Sequence, residues 1–329
     1  VENGRVVGVV AVRDGREVRI EARDGVLINA GGFARNREMR EKYQPKPNSY
    51  AWTNSNPGDT GEVLEAAMRI GASVDCMDES WWMVTSLGPG ETLPEGAVNA
   101  AGVRIPFMHH LDLSMPHLIM VDREGRRFAN ESGSYMEIGQ RMYARHQQSG
   151  RCMPAWVILD RRHRDNYPWG TAQPGRTPSS WLDSGYMKKA DSLAALARQC
   201  EINWPGLEAE VRKFNEYCRT GADRDFNRGG RAFDRSHGDP TVKPNPNLGS
   251  IERGPFYAVA MYPGDIGTCG GLVTDEHARV LREDDSVIEG LYATGNSAAS
   301  VMGRSYPGAG ATIGPSFVFG YCAARHAAR

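Results

Sequence analysis

Glycine placement constrains this chain more than any other feature. Eleven of its 38 glycines fall in the 57 residues from Gly264 to Gly320, and Gly31, Gly32, Gly58 and Gly61 form a second set near the start. Glycine lets backbone approach a neighbour or a ligand closely and adopt conformations closed to other residues. No collagen period or Gly/Ser tract accounts for the surplus. Glycine is thus densest toward the two ends of the chain.

The regions around these clusters alternate between strand and helix signals. Val6 to Val12 is almost wholly β-branched or small, Asp14-Gly15 is a hairpin turn signal, and Val18 to Ala22 alternates in hydrophobicity. Val26-Leu27-Ile28 reads as a short buried strand running into Asn29-Ala30-Gly31-Gly32-Phe33. That segment suits either backbone passing a ligand or a plain strand-to-helix turn. Asn54 to Gly61 precedes a helix whose Val63, Ala66, Ala67 and Ile70 fall on one predicted core face, with Asp59 or Thr60 as its N-cap.

Between about 98 and 260 long polar stretches separate short apolar runs, Leu118 to Val121 and Trp156 to Leu159 among them. Helical spacing appears at 134–146, 192–199 and 207–218, the last with a stripe of Leu207, Val211, Phe214 and Cys218. Residues 220–250 are rich in charge, Gly, Pro and Asn and read as an exposed excursion. The middle reads as an α+β insertion between two halves of another domain. After it come Thr268-Cys269-Gly270-Gly271-Leu272, a strand ending in Thr294-Gly295-Asn296, and the small-residue loop 308–314 before an apolar helix from about Ser316 to Ala327.

Composition narrows the function. The 39 Lys+Arg against 40 Asp+Glu leave a net charge of -1, without the basic surplus of a nucleic-acid binder. No run of about 18 apolar residues could span a bilayer. The six cysteines lack C-x-x-C or any metal-ligand spacing, so no metal is expected. Scattered thiols of this kind suit a cytoplasmic protein.

The loop before the last helix leaves backbone N–H groups at a positive dipole end, where negative charge is stabilised. Taken in order, AGGF (30–33), NPGDTG (56–61), TCGGL (268–272), GLYATGN (290–296) and GAGATIGP (308–315) resemble flavoproteins of the fumarate reductase/succinate dehydrogenase superfamily. Within it, GRSYPGAGATIGPSFVFGY (303–321) is most similar to FAD-dependent 3-ketosteroid Δ1-dehydrogenases, and GRRFANES (125–132) and GPFYAV (254–259) resemble family segments too.

The resemblance implies α/β plus α+β architecture: a partial Rossmann-like FAD-binding domain with an inserted α+β catalytic domain. The implied division is 1–97 (FAD-binding, second part), 98–267 (catalytic, substrate) and 268–329 (FAD-binding, C-terminal return). Members begin with a βαβ unit carrying G-x-G-x-x-G. That loop does not occur here, which implies that the N-terminal part of the domain is absent from this chain. The cofactor implied is FAD, held by Ala30, Gly31, Gly32, Phe33, Asn54, Gly58, Asp59, Gly61, Gly270, Gly271, Gly295, Asn296, Ala311, Thr312 and Ile313.

By the same resemblance the reaction is 1,2-dehydrogenation of a flat apolar ketone such as a 3-ketosteroid. Tyr306 O–H and the Gly310 N–H match the pair that holds the ketone oxygen, and a side chain at 310 would obstruct close approach. Tyr135 stands where the family's base lies, with Tyr167 and Tyr143 as alternatives; a further family tyrosine has no match in this chain. A tyrosine base needs its pKa lowered from near 10, by neighbouring phenols or a charge. The electron acceptor is not indicated, and an apolar substrate is compatible with association at a membrane surface. Two rival readings stand beside this one. The first is a fumarate or enoate reductase using Arg126, Arg127, His109, His110 or Arg304; the second is a fragment unable to hold FAD, a remnant or binding module. Trp81-Trp82-Met83 reads as core or as pocket lining.

Overall fold

The computed structural model describes residues 1–90 and 102–329. The boundary expected between 97 and 98 lies outside the described residues. Strands Gly8–Arg13 and Arg16–Glu21 form an antiparallel hairpin. Asp14 and Gly15 between them both take positive φ (51° and 73°), the twist a two-residue hairpin turn requires.

The two glycine-rich ends meet in a second sheet. Strand Val26–Ile28 pairs in parallel with Val287–Ala293, which pairs on its other side with Arg279–Leu281. The register Ile28↔Ala293 places Asn29–Phe33 beside Thr294–Ser297. Everything between is therefore carried on one long crossover, and two segments more than 250 residues apart build one place.

The middle of the chain forms a six-stranded sheet ordered Phe107–Met108, Ser80–Ser86, Phe256–Thr268, Ala155–Leu159, Leu118–Val121, with Met187–Ala190 also pairing with Phe256–Thr268. The 13-residue strand Phe256–Thr268 uses its second half against Ser80–Ser86 and its first half against the others. Its neighbours are apolar without alternation because both sheet faces are covered. Leu118 and Met120 join a core with Ile138 and Met142 of helix Tyr135–Ser149. Ile119 and Val121 point the other way, toward Leu207, Val211, Phe214 and Cys218 of helix Trp204–Thr220. The expected stripe on that helix is buried as read. Trp81, Trp82 and Met83 are buried on strand Ser80–Ser86.

Three expectations need correction. Helix Glu62–Arg69 buries Leu64 and Ala67, while Val63 and Ile70 remain 37% and 38% exposed. Its N-cap is Gly61 in the left-handed conformation, with no side-chain cap from Asp59 or Thr60. Residues 220–250 are no exposed excursion. Asp223, Arg228, Asp234, Asn245 and Asn247 within them are buried. They close on Arg127, Glu131 and Asn130 in an ionic and amide network: Arg127–Glu131 2.7 Å, Arg127–Asp223 2.9 Å, Arg228–Glu131 3.2 Å, Asn130–Asp234 2.9 Å. Polar composition alone does not show that the polar groups satisfy one another.

Candidate active site

The segment after strand Val26–Ile28 is fastened to the returning half of the chain. Ala30 N–H donates to Ser297 Oγ (3.0 Å), Ser297 donates to the Gly31 carbonyl (2.8 Å), and Phe33 N–H donates to Thr268 Oγ1 (3.2 Å). Most of the expected cofactor glycines are required by the protein itself. A Cβ at Gly31 (φ 84°) would sit 2.2 Å from Asp59 Oδ1, and one at Gly32 2.0 Å from Thr268 Oγ1. At Gly61 it would meet Met39 and Phe33, at Gly270 the Met77 backbone at 2.5 Å, at Gly271 the Ala298 backbone at 2.6 Å, and at Gly295 Asn29 Oδ1 at 2.6 Å. At Gly58 a Cβ would lie 3.3 Å from Asn56 Oδ1, the same atom that accepts the Gly58 N–H. Asn54 donates through Nδ2 to the Pro106 carbonyl (2.7 Å), and Asn296 Oδ1 accepts from Trp81 Nε1 (3.1 Å).

Beside this seam a cleft opens. Its walls are Trp81, Cys269, Gly295, Asn296, Ala298 to Val301, Ala311, Thr312, Pro315 and Phe319, mostly small side chains. Its end is the start of helix Ile313–Ala327, whose N-cap Thr312 makes no side-chain cap. The Gly314 and Ser316 amides bond back to the Gly310 and Thr312 carbonyls and Pro315 has no N–H, so the amides left to face an anion are those of Thr312 and Ile313. Gly308 (φ 146°) and Gly310 (φ 94°) have nothing within 4 Å of a built Cβ. No atom of this chain would obstruct a side chain at 310, so the positive φ is what demands glycine there.

Tyr306 and Tyr135 converge next to the cleft. Their ring centroids lie 4.3 Å apart at 40°, and Trp81 stands edge-on to Tyr306 at 5.8 Å. Tyr135 begins helix Tyr135–Ser149 and is buried, with His110 edge-on to it at 5.2 Å. Burial, and secondarily the Tyr306 phenol, push the Tyr135 hydroxyl above the ordinary phenol value. The neighbouring phenol thus acts opposite to the lowering that a base at neutral pH requires. Tyr143 packs on Trp82 at 4.9 Å, and Tyr167 donates to Asp239 (2.7 Å), so neither belongs to the pair.

Of the residue types offered for a carboxylate-gripping site, Arg126, Arg127, Arg304 and His109 are engaged elsewhere, while His110 stands against Tyr135 with its Nε2 buried and unpartnered. Arg127 is in the buried network, and Arg126 lies 3.9 Å from Glu210. Arg304 forks onto Asp78 and Glu79. His109 joins Asp112 (Nδ1–Oδ2 2.7 Å) and Ser86 (Nε2–Oγ 2.6 Å). That chain has the connectivity of a nucleophile triad, but Ser86 is fully buried.

Sequence reasoning passed over Ser297, Thr268 and Asp265. The last is fully buried, pairs with Arg40 at 2.7 Å and accepts from Thr53 Oγ1 at 2.5 Å. Its only sequence signal is an acid inside an apolar strand. Its charge, after burial, raises the neighbouring Asp59 carboxyl to about 6. An unfolded Asp59 ionises near 3.8, so the folded state holds its proton longer. The contribution of Asp59 to stability is then fully present below pH ~4 and is lost as pH rises to ~6. After discounting for solvent exposure, the loss is about 1–2 kcal/mol. Asp59→Asn is expected to flatten this segment of the curve, as read by urea unfolding at pH 4, 5, 6 and 7.

Parallel glycine-rich ends around a small-residue cleft, interrupted by an α+β insertion, define a cofactor-binding α/β protein of flavoprotein type. The FAD binding domain family matches residues 1–313, and the chain belongs to that family. A 3-oxosteroid 1-dehydrogenase of Mycobacterium tuberculosis is 45% identical over 339 residues, covering 100% of this chain and 58% of that protein. The crystal structure of 3-ketosteroid delta1-dehydrogenase from Sterolibacterium denitrificans in complex with 1,4-androstadiene-3,17-dione aligns with a TM-score of 0.93 at 44% identity, covering 100% of this chain and 57% of that one. An open-conformation flavocytochrome c3 fumarate reductase aligns with a TM-score of 0.59 at 25% identity, covering 99% of this chain and 50% of that one. The chain thus spans 50–58% of the length of these relatives.

Proposed function

We propose that the protein is an FAD-dependent oxidoreductase that dehydrogenates the C1–C2 bond of a 3-ketosteroid, with its proton-handling residues in this chain. The Tyr135–Tyr306 pair beside the cleft carries the reading. The residues present fit the cofactor: the cleft is lined by Gly295, Ala298, Ala299 and Ala311, and the uncapped amides at Thr312 and Ile313 suit an electron-rich ring edge. When bound, FAD supplies the acceptor for the hydride. Tyr306 donates its hydroxyl to the ketone oxygen together with the Gly310 N–H, stabilising the negative charge that grows there as the neighbouring C–H is deprotonated. Tyr135 receives that proton. Trp81, packed on Tyr306, and Met136, buried in the same cluster as Tyr135, make an apolar surround that suits a steroid better than a dicarboxylate. Such a substrate also fits delivery from a membrane surface. The electron acceptor is a separate partner, replaced in the assay by a dye.

The test is the FAD-loaded holoprotein with a redox dye, offered androst-4-ene-3,17-dione or fumarate. Turnover of the ketone with no fumarate reduction is expected, and the reverse would overturn the reading. Tyr306→Phe removes one of two oxyanion donors and is expected to lower ketone turnover about 10²–10³-fold. Unchanged turnover would remove Tyr306 from this role.

A further inference from the structure

Tyr306 sits on a loop with little of its own to hold it. Among the described residues, Met302, Gly303 and Ser305 bond only within the loop or to Ser300. Gly303, Gly308 and Gly310 have no neighbour within 4 Å of a built Cβ. Yet the Tyr306 ring lies against both Tyr135 and Trp81.

One cluster ties these three elements together. Arg304, two residues before Tyr306, forks onto both carboxylate oxygens of Asp78 (2.7 and 2.9 Å) and donates to Glu79 Oε1 (3.1 Å). Glu79 Oε2 accepts from Trp82 Nε1 (2.8 Å), beside Trp81 on the same strand, and from Gln140 Nε2 (3.3 Å). Gln140, on the helix that Tyr135 begins, also donates to the Arg304 carbonyl (2.9 Å). The tyrosine helix, the tryptophan strand and the loop thus converge on Glu79 and Arg304.

We propose that Arg304 and Glu79 are positioning residues that hold the Tyr306 loop in register with Tyr135. The inference rests on the dehydrogenase reading above. Magnitudes favour geometry over stability. The Arg304 and Asp78 side chains are each 53% exposed, and an ion pair so exposed contributes little to folding. A bidentate arginine–carboxylate fork nevertheless fixes direction as a point charge cannot. A displacement of about 1 Å at a reacting group can cost 10²-fold in rate.

The experiment compares Arg304→Gln, Arg304→Lys and Tyr306→Phe with the double variant Arg304→Gln/Tyr306→Phe, in the FAD-loaded chain. Arg304→Gln is expected to lower kcat on androst-4-ene-3,17-dione about 10- to 100-fold with KM little changed. Its unfolding midpoint should stay within about 2–4 °C. Arg304→Lys should recover only part of the rate. The double variant should be no slower than Tyr306→Phe alone, because the clamp acts through that ring. A kcat within twofold of the parent, or losses that multiply in the double variant, would overturn the proposal. Hydrogen exchange supplies a readout independent of turnover. Amides 301–306 should exchange faster in Arg304→Gln while helix Tyr135–Ser149 is unchanged; unchanged exchange in the loop would also overturn it. Absence of ketosteroid turnover in the FAD-loaded parent holoprotein sinks the dehydrogenase reading and leaves the exchange result to judge the clamp.

Discussion

Replacing Tyr135 by phenylalanine is expected to slow 3-ketosteroid turnover about 10²–10⁴-fold, the range a positioned acid–base group supplies. The change deletes one oxygen and keeps the ring that packs on Tyr306 and His110, so the fold and the apolar surround should survive. A tyrosine acts as base only when ionised. Burial and Tyr306 hold its pKa above the ordinary phenol value. On the proposed reading the parent protein should therefore gain rate as pH rises through the alkaline range, and this rising limb should disappear in Tyr135→Phe. Dye reduction followed from pH 7 to 10 measures both. A variant with parental kcat and parental pH dependence would remove Tyr135 from the mechanism. Tyr167→Phe is the matched control: it breaks the bond to Asp239 away from the pair and should leave turnover unaltered.

The largest stability effect should follow Glu131→Gln. Glu131 is fully buried, bonded to Arg127 at 2.9 and 2.7 Å and to Arg228 at 3.2 Å, and accepts the Met120 N–H. Neutralising it leaves the buried Arg127 guanidinium with Asp223 alone and the buried Arg228 guanidinium with hydroxyl and carbonyl partners in place of a carboxylate. Removing one partner from such a network costs about 3–5 kcal/mol, because uncompensated charge stays out of water. Urea unfolding should show that loss, whereas Arg126→Ala, half-exposed and 3.9 Å from its partner, should change stability by less than about 0.5 kcal/mol. Burial opposes ionisation of Glu131, but Arg127 and Arg228 outweigh it and hold its pKa below the ordinary carboxylate value. The stabilisation it brings is thus present above pH ~4.5 and lost as pH falls below that. A Glu131→Gln protein as stable as the parent would show that the network does not anchor residues 220–250.

The same residues show why some of the fold was legible in advance and some was not. Asp14-Gly15 announced its hairpin because the turn's dihedral demand falls on those two residues alone. Leu207, Val211, Phe214 and Cys218 announced a buried stripe because helical period is local. Helix Glu62–Arg69 misled because it offers two overlapping apolar faces, and only the packing of Leu64 and Ala67 against the Val26–Ile28 sheet selects one. Residues 220–250 misled because their charges are satisfied by Arg127, Glu131 and Asn130, about a hundred positions earlier.

The glycines divide along the same line. Their clustering, and the family it points to, stood in the sequence: glycine surplus, ordered motifs and the Tyr306–Gly310 loop are all local strings. Which glycine serves which purpose did not. Gly31, Gly32, Gly270 and Gly271 prove necessary for protein packing against partners such as Asp59, Thr268, Met77 and Ala298, while Gly308 and Gly310 face open space with positive φ. The meeting of Tyr135 with Tyr306, and of Ala30 with Ser297, was likewise decided only by tertiary structure. Local preferences act over a few residues, whereas parallel pairing of Val26–Ile28 with Val287–Ala293 closes a loop of more than 250, and no short-range signal encodes which distant surfaces that closure brings into contact.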